Sequence, residues 1–293
     1  MSFTLPSFAK INLHLEVLGK RGDGFHDICT IFQTVSLHDT LTFEACEEVR
    51  LSCDDPRIPT DNRNLIVKAA TILKDRRHID AGASIHLEKR IPSPGGLGGG
   101  SSNAAVALIG LVKLWNIEIS LAELIDIASE LGSDVPFFLH GGTAVGTGRG
   151  TEITPIDVSE EKILLIVTPD VEVSTKEAFA GLNLTTDGAK SILNNCRFDG
   201  ESLDLHHAAL RNDFETTVFA AHPDLGIVKQ TLLDLGAGQA MMCGSGASVF
   251  GIFDKEETRQ ATQKALEKNL NWRMFAVAAV SRSEYREALG ITY

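Results

Sequence analysis

The sequence predicts an α+β protein of two domains. Its 293 residues are about twice the length of a typical domain of roughly 150 residues. Strand-like and helix-like segments are mixed in both halves, without the strict alternation of a doubly wound parallel sheet. The pattern stops at Gly148-Arg149-Gly150 and restarts with a new apolar strand. We therefore expect an N-terminal domain over residues 1–155 and a C-terminal domain over residues 156–293.

Strand patterns dominate the start of the chain. Residues 11–17 alternate between apolar and polar side chains, which predicts a strand with one buried face. A helix is predicted from residue 65, with Asn62 or Asn64 as its N-cap, because apolar residues recur there at helical spacing. Further strands are predicted over residues 28–35, 40–43, 49–52 and 84–91.

Helices and strands alternate less regularly after residue 100. Apolar residues at helical spacing predict a helix from residue 105, and a second helix over residues 120–131. Ser120 and Glu123 have the spacing of a capping box at the start of that second helix. In the C-terminal half we expect strands at 163–167, 241–242, 249–253 and 275–280, and a helix over 256–268.

The composition is that of an ordinary globular protein and excludes several classes. Hydrophobic residues make up 43% of the chain and charged residues 23%, which argues against a disordered protein. The net charge of −12 provides no basic surface, so we expect no nucleic-acid partner. The longest apolar stretch, residues 104–112, is about half the length that crosses a bilayer, and we expect no membrane association.

The cysteines and the N-terminus favour the cytoplasm. The five cysteines are odd in number and scattered, with no Cys-x-x-Cys pair or His/Cys cluster that would bind a metal. The N-terminus lacks the basic and apolar regions of a secretory signal. No patterned surface calls for an obligatory protein partner.

A glycine-rich loop lies between the strand at 84–91 and the helix that follows it. Glycine permits positive φ and a close approach of the main chain to a ligand. The first N–H groups of a helix have no partner within it, and the helix dipole makes that end electropositive. These features predict a site for a di- or triphosphate. The loop consists of Pro92, Ser93, Pro94, Gly95, Gly96, Leu97, Gly98, Gly99, Gly100, Ser101 and Ser102.

The two serines at the end of this loop add hydroxyls that suit phosphate or a bound Mg²⁺. No lysine follows a glycine in the Walker fashion, and the glycines do not match the dinucleotide fingerprint. Protein-kinase signatures are also missing. We therefore expect a phosphate loop of another type, with a flexible connector or a tightly packed turn as the alternative.

Three segments resemble, in the right order, the three motifs of the GHMP small-molecule kinase superfamily. They are residues 6–13 (PSFAKINL), the glycine-rich loop and residues 242–247 (MCGSGA). Residues 20–26 (KRGDGFH), 96–105 and 133–138 (SDVPFF) are similar to one branch of it, which acts on a cytidine-diphosphate-linked methylerythritol. The resemblance extends from about residue 6 to about residue 280.

The resemblance implies a fold and a reaction. The fold is a ribosomal-protein-S5-like N-terminal domain followed by a ferredoxin-like C-terminal domain. In the reaction, ATP phosphorylates the 2-hydroxyl of the substrate in the non-mevalonate route to isoprenoids. Mg²⁺ is expected to be held mainly by the nucleotide phosphates, with no dedicated protein metal site.

The chain departs from the family pattern at three positions. Pro94 stands where glycine is usual, so one loop N–H is missing. Phe25 replaces a tyrosine and keeps the ring without its hydroxyl. Cys243 replaces the usual serine or threonine, and we expect little effect on the turn.

The resemblance implies that Lys10 and Asp134 are the catalytic pair. Asp134 would accept the proton of the substrate hydroxyl, and Lys10 would stabilise negative charge on that oxygen and on the transferring phosphate. Taken alone, Asp134 also fits a helix N-cap with Pro136 just inside the helix. Lys10 alone also fits a solvated strand position, because it does not share the apolar face of Ile11.

The resemblance also implies a pocket for the nucleobase of the substrate. Phe25 and Phe179 would stack on the two faces of cytosine, and His26 would read its edge. Asn12 and Thr175 would contact the rest of the substrate. The alternative for Phe179 is an ordinary core position on a helix.

Two further pairs of residues are assigned by the resemblance. Gly244 and Ser245 would bring the backbone of the C-terminal domain against the phosphates or the substrate, or would form only a tight turn. Asn64 and Leu65 would lie near the adenine of ATP.

Two other functions stay open from the sequence alone. One is another GHMP kinase, of the homoserine or mevalonate type, although neither is expected to carry the stretch at residues 23–26. The other is a non-catalytic sensor that binds a nucleotide, because a shared fold does not guarantee chemistry. The intact Lys10 and Asp134 argue against the sensor.

Overall fold

Two β-sheets with helices packed on them make up the part of the chain that the structure, a computed structural model, describes. That part comprises residues 2–156, 162–182, 210–269 and 271–291. The first sheet is mixed and runs in the order β3-β4-β2-β1-β8, with β5 pairing with β2 and β6. Its strands are β1 (Ser2–Lys20), β2 (His26–Cys46), β3 (Val49–Cys53), β4 (Gly82–Glu88), β5 (Thr143–Thr147), β6 (Glu152–Ile156) and β8 (Arg211–Asn212).

The second sheet lies in the C-terminal half and is antiparallel, in the order β11-β7-β10-β9. Its strands are β7 (Ile163–Pro169), β9 (Gln239–Met242), β10 (Val249–Phe253) and β11 (Trp272–Ala278). The helices of this half are α5 (Thr175–Ala180), α6 (Phe214–Ala221), α7 (Pro223–Asp234), α8 (Glu256–Leu266) and α9 (Arg282–Leu289). The two sheets with their helices confirm the predicted α+β, two-domain fold class.

The helices of the first half are α1 (Leu65–Arg77), α2 (Gly99–Leu114), α3 (Leu121–Leu131) and α4 (Phe137–His140). Helix α2 is buried along most of its length and packs against α1, β1 and β2. It lies close against the sheet at Gly110, where a Cβ atom would lie 2.3 Å from Phe43 Cζ. Only glycine fits there, so α2 packs closely on β2 at this point.

The two faces of β1 have different surroundings. Ile11 and Leu13 pack with Leu164, Ile166 and Phe250 in a buried cluster that joins the two sheets. Because side chains alternate along a strand, the polar residues between them project from the opposite face of β1. The polar face of β1, with Lys10 and Asn12, therefore lies away from this cluster and lines a cleft.

The prediction of two separate strands at 28–35 and 40–43 was wrong. They form the single strand β2, which pairs with β1 over almost its whole length. The pairing shifts where Phe8 faces His38 and Ala9 faces Val35, so Ser36 and Leu37 bulge out between them. A bulge interrupts the alternation of polar and apolar residues, which is why the sequence pattern breaks there.

Two of the predicted helix starts are confirmed. Asn64, rather than Asn62, caps α1, and its Oδ1 accepts the N–H of Ile66 at 2.9 Å. Ser120 and Glu123 form the expected capping box at the start of α3. Helix α2 begins at Gly99, six residues before the apolar pattern, because its first turn is made by the glycine-rich loop itself.

The division into residues 1–155 and 156–293 stays a prediction. Strand β6 of the first sheet ends at Ile156 and β7 of the second sheet begins at Ile163, but β8 from the C-terminal half pairs in parallel with β1. None of the helices in the described ranges has both the length and the apolar character to cross a membrane.

Candidate active site

A cleft of about 1210 Å³ opens beside β1, between the glycine-rich loop and the C-terminal half. All the predicted site residues line it except Asn64 and Ser102. The structure thus brings together residues from motifs far apart in the sequence.

Lys10 and Asp134 form an ion pair in this cleft. Lys10 Nζ lies 3.3 Å from Asp134 Oδ2, and the side chains are 4% and 32% exposed respectively. Lys10 also lies over the ring of Phe32, 5.5 Å from its centroid. The alternative of a solvated strand position for Lys10 was therefore wrong.

The alternative role of Asp134 as a helix cap was also wrong. Helix α4 begins at Phe137, and Pro136, the residue before it, provides no side-chain cap. Asp134 lies in the preceding turn, and its carboxylate reaches Lys10 instead.

A chain of hydrogen bonds orients Lys10. Its ammonium donates to Asn12 Oδ1 at 2.7 Å, Asn12 Nδ2 donates to Thr30 Oγ1 at 2.7 Å, and that hydroxyl donates to the carbonyl of His14 at 2.7 Å. Asn12 is two residues beyond Lys10 on the same face of β1. Its side chain therefore holds the lysine in place, and its contact with substrate stays a prediction.

The glycine-rich loop is attached to both halves of the protein. The N–H of Lys10 donates to the carbonyl of Leu97 at 3.0 Å, and the N–H of Ser248 donates to the carbonyl of Gly95 at 3.2 Å. Gly96 has φ +71°, and a Cβ there would lie 2.0 Å from the carbonyl oxygen of Cys243. These contacts argue against the flexible connector.

The first turn of α2 presents main-chain N–H groups at the cleft. Gly98 has φ +70° and precedes the helix, and Gly99, Gly100 and Ser101 form its first residues and line the cleft. Such N–H groups have no partner within a helix, so the arrangement suits an anion. Pro94 lies in the exposed part of the loop, and its peptide bond to Ser93 is cis.

Two predicted ATP-binding residues lie outside the cleft wall. Ser102 is buried, with its hydroxyl 2.8 Å from that of Ser7. The side chain of Asn64 caps α1 and donates to the carbonyl of Pro59 at 2.7 Å, whereas its neighbour Leu65 lines the cleft.

Aromatic side chains line the other end of the cleft. Phe25 is 49% exposed, and the guanidinium of Arg149 lies over its ring at 4.8 Å. The ring of Phe179 stacks on His26 at a centroid distance of 4.6 Å, and its edge meets Phe214 at 4.7 Å. One face of Phe179 is thus covered by His26, and a base stacked on that face would first have to displace the imidazole.

The surroundings of His26 favour its neutral form. Partial burial, followed by the positive charge of Lys20, lowers the pKa of His26 below its usual value of 6.5. A neutral imidazole has one donor and one acceptor nitrogen, which is what reading the edge of a base requires.

The Gly244-Ser245 turn lies at the cleft, and its contact with the phosphates or the substrate stays a prediction. It lines the cleft, and Ser245 Oγ lies 2.9 Å from Thr175 Oγ1 at the start of α5. Asn212 Nδ2 holds it by donating to the carbonyls of Met242 and Gly244 at 2.9 and 2.8 Å.

The cysteine that departs from the family pattern lies beside this turn. Cys243 is fully buried, and burial raises the pKa of its thiol to about 12. The raised pKa favours the protonated thiol, which packs as a small apolar group.

Sequence reasoning missed three cations that line the cleft, Lys20, Lys176 and Arg149. Arg149 is flanked by glycines in a loop between two strands, a place where functional side chains are common. The glycines beside Arg149 predicted only a domain boundary, although they also indicate a loop that could carry a functional side chain. Within the described ranges, no group of three or more His, Cys, Asp or Glu residues is arranged to bind a metal.

Comparisons with known proteins agree with the motifs. The chain matches the model of the GHMP kinases N terminal domain over residues 64–142 and that of the GHMP kinases C terminal region over residues 198–271. It is 39% identical to the 4-diphosphocytidyl-2-C-methyl-D-erythritol kinase of Syntrophotalea carbinolica, over 96% of this chain and 99% of that one. It is 40% identical to the protein of the same name from Solibacter usitatus, over 96% and 90%.

Solved structures give the same result. A crystal structure of a 4-(cytidine 5'-diphospho)-2C-methyl-D-erythritol kinase superposes with a TM-score of 0.75 at 30% identity, covering 95% of this chain and 99% of that one. A homoserine kinase from Cytophaga hutchinsonii has a TM-score of 0.72 at 21% identity, over 96% and 95%, which shows a shared fold alone. The chain therefore belongs to the 4-diphosphocytidyl-2-C-methyl-D-erythritol kinases, a family of GHMP small-molecule kinases.

Proposed function

We propose that this protein transfers the γ-phosphoryl group of ATP to the 2-hydroxyl of 4-diphosphocytidyl-2-C-methyl-D-erythritol, in the non-mevalonate route to isoprenoids. The observation that carries the proposal is the Lys10–Asp134 pair, 3.3 Å apart on the wall of the cleft that the glycine-rich loop also lines. A buried cation, a carboxylate and a row of main-chain donors are the groups that phosphoryl transfer to an alcohol needs.

GHMP kinases use ATP as co-substrate, and the cleft offers one place that suits its phosphates. The N–H groups of Gly99, Gly100 and Ser101 at the start of α2 and the dipole of that helix favour negative charge there. The loop is tied to β1 through Lys10 and Leu97, so the phosphates would lie close to the lysine. Leu65 lines the cleft and would contact the adenine.

The transfer step requires a place for one proton. The 2-hydroxyl oxygen forms a bond to the γ-phosphorus while the bond from that phosphorus to the β–γ bridging oxygen breaks, and ADP leaves with the electron pair. The hydroxyl proton goes to the carboxylate of Asp134. Lys10, oriented by Asn12, stabilises negative charge on the attacking oxygen and the transferring group.

Mg²⁺ would be held mainly by the phosphates of ATP and by water. The Ser101 hydroxyl lines the cleft and would add an oxygen ligand, the type of ligand that Mg²⁺ prefers. When bound, the ion would neutralise charge on the phosphates.

The aromatic end of the cleft suits the cytidine diphosphate part of the substrate. The exposed ring of Phe25 offers a face for cytosine, and neutral His26 offers a donor and an acceptor for its edge. Arg149 and Lys20 line the same cleft and would bring positive charge near the diphosphate. The ring of Phe179 would stack on the cytosine once it separates from the imidazole of His26.

The partner of this site is a small molecule, and we infer that the protein acts in the cytoplasm. A charged, nucleotide-linked substrate supports that compartment.

A coupled ADP-release assay with Mg-ATP tests the proposal. We expect turnover with the cytidine-linked alcohol and little with homoserine or mevalonate, and ³¹P NMR should place the new phosphate on the 2-hydroxyl. Faster turnover with homoserine or mevalonate would overturn the substrate assignment. Binding of Mg-ATP without turnover on any of the three alcohols would favour a nucleotide sensor.

A further inference from the structure

A buried carboxylate lies beneath the glycine-rich loop, outside the cleft. Asp39 of β2 has no exposed surface, and its Oδ2 lies 2.9 Å from the ammonium of Lys89. A buried charge is costly unless it is paired and fully hydrogen-bonded, so the partners of Asp39 show what the charge holds in place.

Those partners are the two ends of the loop. Asp39 Oδ1 accepts the N–H groups of Arg90 at 2.7 Å and Ile91 at 2.8 Å, directly before the loop begins at residue 92. Its Oδ2 accepts from Asn103 Nδ2 at 3.0 Å, directly after the loop ends at residue 102. One carboxylate therefore holds both the entry and the exit of the loop.

The same group is connected to the strand that carries Lys10. Asn103 Oδ1 accepts the hydroxyl of Ser7 at 2.6 Å, and Ser7 faces Asp39 across the β1–β2 pairing. Ser7 precedes Lys10 by three residues on β1, and the N–H of Lys10 donates to Leu97 within the loop. The loop and the lysine are thus positioned from one buried centre.

We propose that Asp39 is a positioning residue for Mg-ATP, and that it sets the spacing of the loop N–H groups that receive the phosphates. The choice of ATP as the ligand rests on the proposed function. An ionised carboxylate satisfies two main-chain donors, an amide donor and an ammonium at once. Asparagine at this position would direct an N–H₂ group toward donors on Lys89 or Asn103, and the ends of the loop would separate.

The test compares Asp39→Asn with Asp54→Asn by isothermal titration calorimetry. Asp54 is a matched control because it accepts the N–H of Lys89 at 2.8 Å, in the same segment, but lies on the exposed side. We expect Asp39→Asn to raise the Kd for Mg-ATP by roughly 10- to 100-fold. The Kd for the cytidine-linked substrate should stay within about twofold, as should both constants for Asp54→Asn.

A purely structural role would give a different result. If Asp39 were only structural, Asp39→Asn would lower the urea midpoint and leave both Kd values of the folded protein unchanged, or it would raise both Kd values equally. Either result overturns the proposal. If Asp39→Asn does not fold, Ser7→Ala provides the test instead, because it keeps the buried ion pair of Asp39 with Lys89. We expect Ser7→Ala to raise the Kd for Mg-ATP about threefold or more and to leave the Kd for the cytidine-linked substrate unchanged. An unchanged Kd for Mg-ATP would contradict the proposal.

The two proposals can fail separately. Absence of phosphorylation by the wild-type protein would refute the proposed function, while the comparison of Mg-ATP affinities would still test Asp39.

Discussion

Lys10 Nζ lies 3.3 Å from Asp134 Oδ2, and the two side chains differ sharply in their exposure to solvent, at 4% and 32%. The lysine is enclosed by Phe32 and Asn12, so its charge acts mainly toward the cleft. The aspartate is open enough to meet an incoming hydroxyl. This asymmetry suits a fixed cation beside a carboxylate that exchanges a proton.

Removing the charge of Lys10 should slow the reaction strongly. We expect Lys10→Met to lower kcat roughly 100- to 1000-fold, because one donor aimed at the developing charge is lost. Lys113→Met is a matched control, since Lys113 also lies over a ring, that of Phe3 at 4.8 Å, but on α2 away from the cleft. Steady-state kinetics should show near wild-type kcat for the control. A similar loss in both variants would refute a specific role for Lys10.

The environment of Lys10 could not be predicted from its neighbours in the sequence. The alternation of residues 11–17 correctly predicted a strand, but the polar face of that strand is enclosed by Phe32 and Asp134, which are distant in the chain. Burial of a polar face depends on tertiary packing, and β propensity does not report it. For the same reason Asp39 was missed, since its partners come from the ends of the loop and from Ser7.

Local signals were more informative. The capping box of Ser120 and Glu123 and the cap at Asn64 depend on contacts within a few residues, and both were predicted. The glycine-rich loop was recognised because positive φ and close approach demand glycine. The single strand β2 was predicted as two because a bulge at Ser36 and Leu37 breaks its alternation.

The exposed ring of Phe25 should contribute to binding of the cytidine-linked substrate. We expect Phe25→Leu to raise its KM on the order of tenfold, the equivalent of one lost stacking contact, with the KM for ATP unchanged. Ile227→Ala provides the control, because Ile227 is the other large exposed apolar side chain of the described ranges and lies on α7. An unchanged KM for Phe25→Leu would place the base elsewhere.

Glycines of the loop should differ in their tolerance of a methyl group. Gly96→Ala forces a Cβ to within 2.0 Å of the Cys243 carbonyl at φ +71°, and should lower the free energy of unfolding by about 2 kcal/mol or more. A Cβ at Gly100 meets nothing within 4 Å, and this residue is helical. Gly100→Ala should therefore raise stability by up to about 1 kcal/mol. Urea denaturation measures both, and equal effects would contradict the packing described.

Stability should fall in mild acid, partly because of His140. Burial, and then the charges of Arg282 and Arg286, lower the pKa of His140 below its usual value of 6.5. As the pH falls below about 6.5, the unfolded chain binds the proton before the native protein does, so the free energy of unfolding decreases. His140→Gln should show a shallower loss of stability between about pH 7 and pH 5.

Urea midpoints measured across this pH range test the prediction. His86→Gln, at an exposed position on β4, controls for the loss of a histidine side chain. An unchanged slope for His140→Gln would show that its protonation is not linked to unfolding.

The most direct test of the catalytic pair is a rapid-quench, single-turnover measurement with saturating Mg-ATP and the cytidine-linked substrate. We expect Asp134→Asn to slow phosphoryl transfer roughly 100-fold or more, with the Kd for Mg-ATP within about threefold of wild type. Asp126→Asn, which removes only a surface carboxylate paired with Arg76, should transfer at the wild-type rate. Transfer by Asp134→Asn at the wild-type rate would contradict the assignment of Asp134 as the group that receives the proton.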